Sequence, residues 1–201
     1  HYLYPELREV PVDEVTAEAE LTDTAICQPV MYACSLALGR LLQSVGVEPT
    51  VVTGHSLGEF NAAVHGGVIS AGEAARFVTA RGQAMASVSG DPGTMAAVMA
   101  DRETVAGLLV DGAVIANVNH PRQTVISGTR DAVATVVENA KAADVVAKPL
   151  TVSHAFHSPI FDHLDAKPWL GDTQLQDPVL PVASGIGTKP YADAADAREV
   201  F

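Results

Sequence analysis

Apolar residues recur at helical spacing near the start of the chain. Between Thr24 and Val45 they return every three or four positions, which predicts a long amphipathic helix. A β-branched run at residues 50–53 predicts a short strand, and it leads directly into Gly54-His55-Ser56-Leu57-Gly58. Residues 59–65 resume the helical pattern. The sequence therefore predicts a strand, a glycine-flanked turn and a helix in immediate succession.

The chain then changes to a compact alternation of short strands and helices. A capping-box sequence, Ser70-Ala71-Gly72-Glu73, predicts one further helix before this change, and a turn rich in glycine and proline follows at residues 89–93. The order βαββαβ beyond that turn is the order of a ferredoxin-like unit. Its predicted strands are residues 95–99, 113–117, 124–127 and 145–150, and its predicted helices are residues 102–110 and 131–142.

These elements predict an α/β fold made of two parts. The larger part is expected to be α/β-hydrolase-like and to comprise residues 1–92 and 154–201, because such folds present a nucleophile on a strand–turn–helix succession. The smaller, ferredoxin-like part is expected to be inserted at residues 93–153.

Composition and charge exclude several classes of function. The chain has 201 residues, of which 48% are hydrophobic, so a substantial core can form. The formal net charge is −12 and the basic residues are scattered, which argues against a nucleic-acid partner. No run of about 18 apolar residues predicts a membrane span, and the first residues lack the layout of a secretory signal. Cys27 and Cys34 lie roughly 10 Å apart on the predicted helix, too far for a disulfide, which favours the cytoplasm.

The strongest chemical signal is the serine of Gly54-His55-Ser56-Leu57-Gly58. A serine between a strand and a helix, flanked by small glycines, is typical of a nucleophile elbow, which exposes the hydroxyl at the end of the strand. The N-terminus of the next helix offers N–H groups and a positive dipole to a developing oxyanion. We expect Ser56 to be a nucleophile and Leu57 to donate one of those N–H groups. The alternative is a glycine-rich turn that contains serine by chance.

A serine nucleophile needs a neighbouring base, and the chain has seven histidines. The best candidates are His154 and His157, which follow the last strand of the smaller part. The residues alone do not choose between these two. The alternative is a His-x-x-His metal site that includes His163; such a site needs carboxylate or thiolate ligands at matching positions, and we expect no metal.

Arg81 is the third informative residue. It lies four positions after Phe77 and four before Met85, which places it on the apolar face of its helix. A cation in that position is costly unless it is paired. Its partner is either an internal carboxylate such as Glu59 or an acidic substrate held by the planar guanidinium group. The residues alone leave both open.

Four motifs occur in a family-like order and at family-like distances. They are Gly54-His55-Ser56-Leu57-Gly58-Glu59-Phe60, Ala80-Arg81-Gly82, Ala116-Asn117-Val118-Asn119-His120-Pro121 and Val152-Ser153-His154-Ala155-Phe156-His157-Ser158-Pro159. From about Thr24 to Thr188 the chain thereby resembles the acyltransferase domains of type I polyketide synthases. The malonyl-CoA:acyl-carrier-protein transacylases of fatty-acid synthesis are similar but more distant.

The resemblance implies roles for the matching residues. Ser56 is implied to form an acyl-enzyme, and His157 to be the general base and then the general acid, oriented by a backbone carbonyl instead of an aspartate. Arg81 is implied to bind the free carboxylate of the substrate, and His55 to line the same pocket.

The resemblance also implies a substrate and partners. Members that prefer malonyl tend to carry His-Ala-Phe-His where methylmalonyl users tend to carry Tyr-Ala-Ser-His. Phe156 is therefore implied to fill the space that a substrate methyl group needs. Leu57, in place of glutamine after the serine, is also implied to favour malonyl. Malonyl-CoA is then the thioester substrate, and the malonyl group passes to the phosphopantetheine arm of an acyl carrier protein. Neighbouring synthase domains are implied as partners, and no cofactor bound by the domain itself.

The chain departs from the family in three places, one of which is a segment between Phe161 and Pro181 that is shorter and less helical than the family leads us to expect. The amino-terminal Phe-Pro-Gly-Gln-Gly element, whose glutamine region completes the oxyanion hole, is absent from the sequence, and Ser184-Gly185 stands where relatives usually have Ser-Asn. One alternative is an α/β-class serine hydrolase, which would need an acidic triad member where the βαββαβ pattern lies. The other is a non-catalytic scaffold domain within a larger synthase.

Overall fold

The chain folds as mixed α/β structure that divides into two units. Unit 1 comprises His1–Ala86 and Asp165–Phe201, and unit 2 comprises Ser87–Leu164. The computed structural model describes residues 4, 12–164, 171, 173–187 and 189–200.

The helices and strands of the described residues follow one another in the order expected around the glycine-flanked turn and through the βαββαβ segment. A 3₁₀-helix at Pro159–Phe161 precedes the last strand. In chain order the elements are α1 (Glu14–Thr22), α2 (Thr24–Ser44), β1 (Val52–Thr53), α3 (Gly58–His65), α4 (Ala71–Ala86), β2 (Thr94–Val98), α5 (Arg102–Ala106), β3 (Ala113–His120), β4 (Gln123–Gly128), α6 (Arg130–Ala142), β5 (Ala147–Pro149), β6 (Val182–Ala183) and α7 (Ala194–Val200).

The first two helices of unit 1 begin at aspartates. The Asp13 carboxylate accepts a hydrogen bond from the Thr16 N–H at 2.9 Å, and the Asp23 carboxylate accepts one from the Ala25 N–H at 2.8 Å. Each bond satisfies a backbone donor that has no partner inside the helix. By length and composition α2 is long and apolar enough to cross a membrane. This is weak evidence for a membrane span, because core helices of soluble proteins meet the same criterion.

The core of unit 1 surrounds the turn between β1 and α3. Strand β1 pairs in parallel with β6, and the Thr53 hydroxyl donates to the Ala183 carbonyl at 2.8 Å. Helices α3 and α4 pack through Phe60 and Phe77, whose ring centroids are 4.8 Å apart. The Tyr32 hydroxyl of α2 donates to the carbonyl of Ala71 at 2.7 Å. These contacts fix the strand, the turn and three helices relative to one another.

Unit 2 is an antiparallel four-stranded sheet with the strand order β3-β4-β2-β5. Alternate residues of β2 point to opposite faces, so Ala96 and Val98 pack with α5 and α6, whereas Met95 and Ala97 belong to a second cluster. Helix α5 ends at Ala106, four residues earlier than predicted. The next residue, Gly107, is a poor helix former and is the C-cap of the helix.

The boundary between the units differs from the predicted one at both ends. The segment with His154 and His157 lies in unit 2 and not in the larger part. Its attachment explains this, because the Ala155 N–H donates to the Pro92 carbonyl at 2.7 Å. A side chain at Gly93 would collide with Ala155, so the glycine allows this close approach.

Candidate functional site

Ser56 lies at the junction of β1 and α3 with its backbone in the left-handed region, at a φ of 53°. This conformation is unfavourable for residues other than glycine and costs about 1–3 kcal/mol. The turn around it is closed by hydrogen bonds from the Gly58 N–H to the His55 carbonyl at 2.9 Å and from the Glu59 N–H to the Ser56 carbonyl at 3.0 Å. The predicted strand–turn–helix geometry is therefore present, with strain at the serine itself.

The two glycines of the turn have different functions. A Cβ placed on Gly54 would overlap the backbone of Gly58 and Glu59, so only glycine fits where the chain doubles back on itself. A Cβ placed on Gly58 would meet no atom within 4 Å. The tight turn therefore depends on the first glycine of the motif and not on the second.

The backbone N–H of Leu57 is a candidate anion donor. It makes no backbone hydrogen bond within the described residues, and α3 begins immediately after it. The Leu57 side chain packs against the core of unit 1, which holds this peptide group in place. His55, the residue before the serine, is exposed. The turn thus presents a hydroxyl, a backbone donor and a helix N-terminus together.

A buried carboxylate anchors the start of α3. Glu59 is only 4% exposed, and its oxygens accept hydrogen bonds from the Gly185 N–H at 2.5 Å, the Ser184 hydroxyl at 3.2 Å and the Tyr191 hydroxyl at 2.9 Å. The sequence did not predict these contacts, because partners so distant along the chain leave no local pattern. Burial, followed by the bond to Glu59 and its charge, raises the pKa of Tyr191.

Arg81 on α4 is paired with an amide and not with a carboxylate. Its Nη1 donates to the Oε1 of Gln28 at 2.5 Å, and burial lowers the pKa of the guanidinium. Within the described part of the chain Arg81 forms no ion pair. Because the Glu59 carboxylate is used by other donors, the interpretation of Glu59 as the partner of Arg81 is wrong.

Gln28 is itself held in one orientation. Its Nε2 donates to the Thr24 hydroxyl at 2.7 Å and lies 3.3 Å from the Met85 sulfur, which leaves Oε1 to face Arg81. A neutral partner leaves the positive charge of the guanidinium uncompensated. A half-buried arginine of this kind can bind an anionic group with its remaining N–H donors. No sequence signal pointed to Gln28.

In unit 2, His157 also has a left-handed backbone, with a φ of 58°, and its side chain is exposed. The loop around it is tightly bonded, since the Ser158 hydroxyl donates to the Ala155 carbonyl at 2.6 Å and the Phe156 N–H to the His154 carbonyl at 3.0 Å. His154, in contrast, packs its ring near Phe156 at a centroid distance of 5.9 Å. The structure thus distinguishes two histidines that the sequence left equivalent.

The described residues contain no group of three or more His, Cys, Asp and Glu side chains that could hold a metal ion.

Phe156 packs against Met95, Ala97 and Val125 on one face of the sheet of unit 2.

Comparisons with known proteins agree on one family. The family model described as the acyl transferase domain matches residues 7–193. Polyketide synthase GfsA of Streptomyces halstedii is 45% identical over 151 residues, which is 73% of this chain and 2% of that synthase.

Two solved structures are also similar. The acyltransferase domain of the iterative polyketide synthase in enediyne biosynthesis superposes with a TM-score of 0.79 at 36% identity, covering 87% of this chain and 49% of that one. A malonyl-transacylase solved with its type II polyketide synthase acyl-carrier protein gives a TM-score of 0.81 at 30% identity, covering 90% of this chain and 62% of that one. The chain therefore spans only part of the length of each of these three proteins.

The two glycines of the turn allow a matched test of its geometry. We expect Gly54→Ala to lower the free energy of unfolding by about 1–3 kcal/mol, because the new methyl group overlaps backbone atoms. Gly58→Ala should change it by less than about 1 kcal/mol, because the new methyl group has space. Urea unfolding followed by circular dichroism measures both, and equal losses would contradict this account of the turn.

The raised pKa of Tyr191 predicts a pH dependence of stability. The folded protein keeps the phenolic proton at a pH where the unfolded chain has lost it. This contribution is complete below the unfolded pKa of about 10 and is lost as the pH rises above it. The free energy of unfolding should therefore fall more steeply above about pH 10 in the wild type than in Tyr191→Phe. Denaturation curves at a series of alkaline pH values measure both slopes; parallel curves would show that Tyr191 does not contribute.

Proposed function

The chain belongs to the acyltransferase domain family, and we propose that it transfers a malonyl group from malonyl-CoA to an acyl carrier protein. The observation that carries the proposal is the strained Ser56 at the start of α3, beside the N–H of Leu57. The similar malonyl-transacylase in complex with its acyl-carrier protein supports both the acyl group and the acceptor.

The proposed reaction proceeds through an acyl-enzyme. The Ser56 oxygen attacks the thioester carbonyl of malonyl-CoA while His157 takes the hydroxyl proton. The carbon–sulfur bond then breaks, and the CoA thiolate leaves with the proton from His157. In the second half, His157 takes the proton of the phosphopantetheine thiol and the sulfur attacks the ester carbonyl of malonyl-Ser56. The ester carbon–oxygen bond then breaks, and the proton passes from His157 to the Ser56 oxygen. The N–H of Leu57 stabilises the oxyanion in both halves.

Arg81 is proposed to bind the free carboxylate of the malonyl group, with His55 lining the same pocket. The support is a half-buried guanidinium whose hydrogen-bond partner among the described residues is the neutral amide of Gln28. A planar guanidinium can hold a carboxylate through two parallel hydrogen bonds. Gln28 is then a positioning residue, because it sets the orientation of the Arg81 side chain.

Phe156 is proposed to limit the size of the acyl group. Phe156 directly precedes His157 in the chain. Its ring packs on the sheet of unit 2 and so has a fixed support. A methyl group on the α-carbon of the substrate would compete with this ring for space. Discrimination against one methyl group in an apolar pocket is worth about 1–3 kcal/mol. The preference for malonyl over methylmalonyl is therefore expected to be clear but incomplete.

The remaining assignments complete the proposal. We assign unit 2 to the ferredoxin-like class because of its βαββαβ order and its strand order β3-β4-β2-β5, and unit 1 to the α/β-hydrolase-like class because of the turn at Ser56.

Polyketide synthase relatives support neighbouring synthase domains as partners and a cytoplasmic location. The phosphopantetheine arm is supplied by the carrier protein, and the domain binds no cofactor of its own.

Acylation by competing thioesters tests the reaction. After brief incubation with malonyl-CoA, methylmalonyl-CoA and acetyl-CoA, intact-protein mass spectrometry should show mainly a malonyl adduct, absent in Ser56→Ala. His157→Ala should slow its formation by about 100- to 10,000-fold, because general-base catalysis is lost. His163→Ala is the matched control, since His163 is also exposed in unit 2.

The other outcomes of this experiment point to the alternatives. CoA release that depends on Ser56 without an adduct would indicate a hydrolase. Neither adduct nor release would indicate a scaffold domain.

The carboxylate site is tested by comparing malonyl-CoA with acetyl-CoA. Arg81→Leu should lower the rate of acylation by malonyl-CoA about 10- to 100-fold, because charge-assisted hydrogen bonds are lost. The rate of acylation by acetyl-CoA should change little.

Gln28→Leu should raise the KM for malonyl-CoA with a smaller change in kcat, because the guanidinium loses its orientation. An equal loss with both thioesters, in either variant, would show that the residue does not recognise the carboxylate.

A further inference from the structure

Three aromatic rings of unit 2 form a cluster in the segment of the chain that contains His157. Phe156 and Phe161 are nearly parallel, with 5.9 Å between ring centroids and an angle of 7° between ring planes. The imidazole of His154 completes the cluster at 5.9 Å from Phe156 and 6.0 Å from Phe161, tilted by 48° and 51°. Offset-parallel and tilted contacts at these distances are the favourable geometries for aromatic pairs.

The backbone of the loop delivers Phe161 to this position. The short 3₁₀-helix Pro159–Phe161 begins after Ser158, and the Phe161 N–H donates to the Ser158 carbonyl at 3.1 Å. Ser158 is itself buried and bonded to Ala155. The loop therefore folds back so that the ring at position 161 lies against the ring at position 156.

Phe156 consequently has two supports. It packs against Met95 and Ala97 of the sheet and stacks on Phe161. A phenylalanine ring reorients by rotation about its side-chain bonds, and each contact removes some of that freedom. Without Phe161 the ring would keep its contact with the sheet but could turn away from an incoming group.

We propose that Phe161 is a positioning residue for acyl-group selectivity, acting by holding the Phe156 ring in place. This inference rests on the proposed function, in which Phe156 limits the α-substituent of the acyl group. Phe161 lies outside the four sequence motifs and does not itself need to touch the substrate. The class of substrate that it excludes is the α-methyl-branched malonyl thioesters.

Competition between malonyl-CoA and methylmalonyl-CoA tests the proposal in the full chain. In Phe161→Ala the methylmalonyl share of the Ser56 adduct should rise about threefold to tenfold, which is within the discrimination that one methyl group allows. Phe161→Leu, which keeps most of the volume, should show a similar rise, and Phe161→Tyr, which keeps the ring, should retain the wild-type ratio. If Phe161→Ala does not fold, Phe161→Leu decides.

Ile160→Ala is the matched control, because Ile160 belongs to the same 3₁₀-helix but is not part of the ring cluster. It should leave the ratio unchanged. An unchanged ratio in both Phe161→Ala and Phe161→Leu, or an equal rise in Ile160→Ala, would overturn the proposal, since the ring contact would then not control selectivity.

A second measurement is independent of acylation. The thermal midpoints of Phe156→Ala, Phe161→Ala and the double variant should show coupling, with the double variant shifted by about 2 °C less than the sum of the two single shifts. Additive shifts would show that the two rings do not support each other and would overturn the proposal. Coupled shifts in a protein that no thioester acylates would instead place the failure in the proposed function.

Discussion

The Ser56 turn depends on the hydrogen bonds that the buried carboxylate of Glu59 accepts. A charge that is removed from water must be satisfied by hydrogen bonds, and Glu59 obtains them from Gly185, Ser184 and Tyr191, more than a hundred positions further along the chain. These bonds attach the start of α3 to the strand region that contains β6. The left-handed backbone of Ser56 is unfavourable by itself, so it persists because its surroundings are fixed in this way.

Glu59 and Arg81 in unit 1 are satisfied in opposite ways. Among the described residues three groups donate hydrogen bonds to Glu59, whereas Arg81 donates to one neutral acceptor, Gln28. Partial burial of a cation without an anionic partner is destabilising for the free protein. Such a cost is expected where binding of an anionic ligand restores the balance, and this difference is the reason for proposing Arg81, and not Glu59, as the charge that binds the substrate.

Local patterns explain what the sequence could predict. Helix α2, the turn at Ser56 and the βαββαβ order each have a periodic or glycine signal within a few residues. Helix α1 has a single buried residue, Ala17, so it carries no apolar periodicity, and β6 has only two residues. The partners of Glu59 and the amide partner of Arg81 depend on contacts between distant segments. No pattern along the chain encodes such contacts, and the sequence accordingly left the partner of Arg81 open.

Backbone strain separates the functional candidates from ordinary structure only when each case is considered with its surroundings. Three described residues other than glycine have a positive φ: Ser56, Asp144 and His157. Asp144 lies directly after the C-cap of α6, and the Val145 N–H donates to the Ala140 carbonyl at 2.8 Å, which is the usual left-handed ending of a helix. Ser56 and His157 end no helix. Their strain has no such local explanation, and these are the two residues to which the proposed acyl transfer assigns the chemistry.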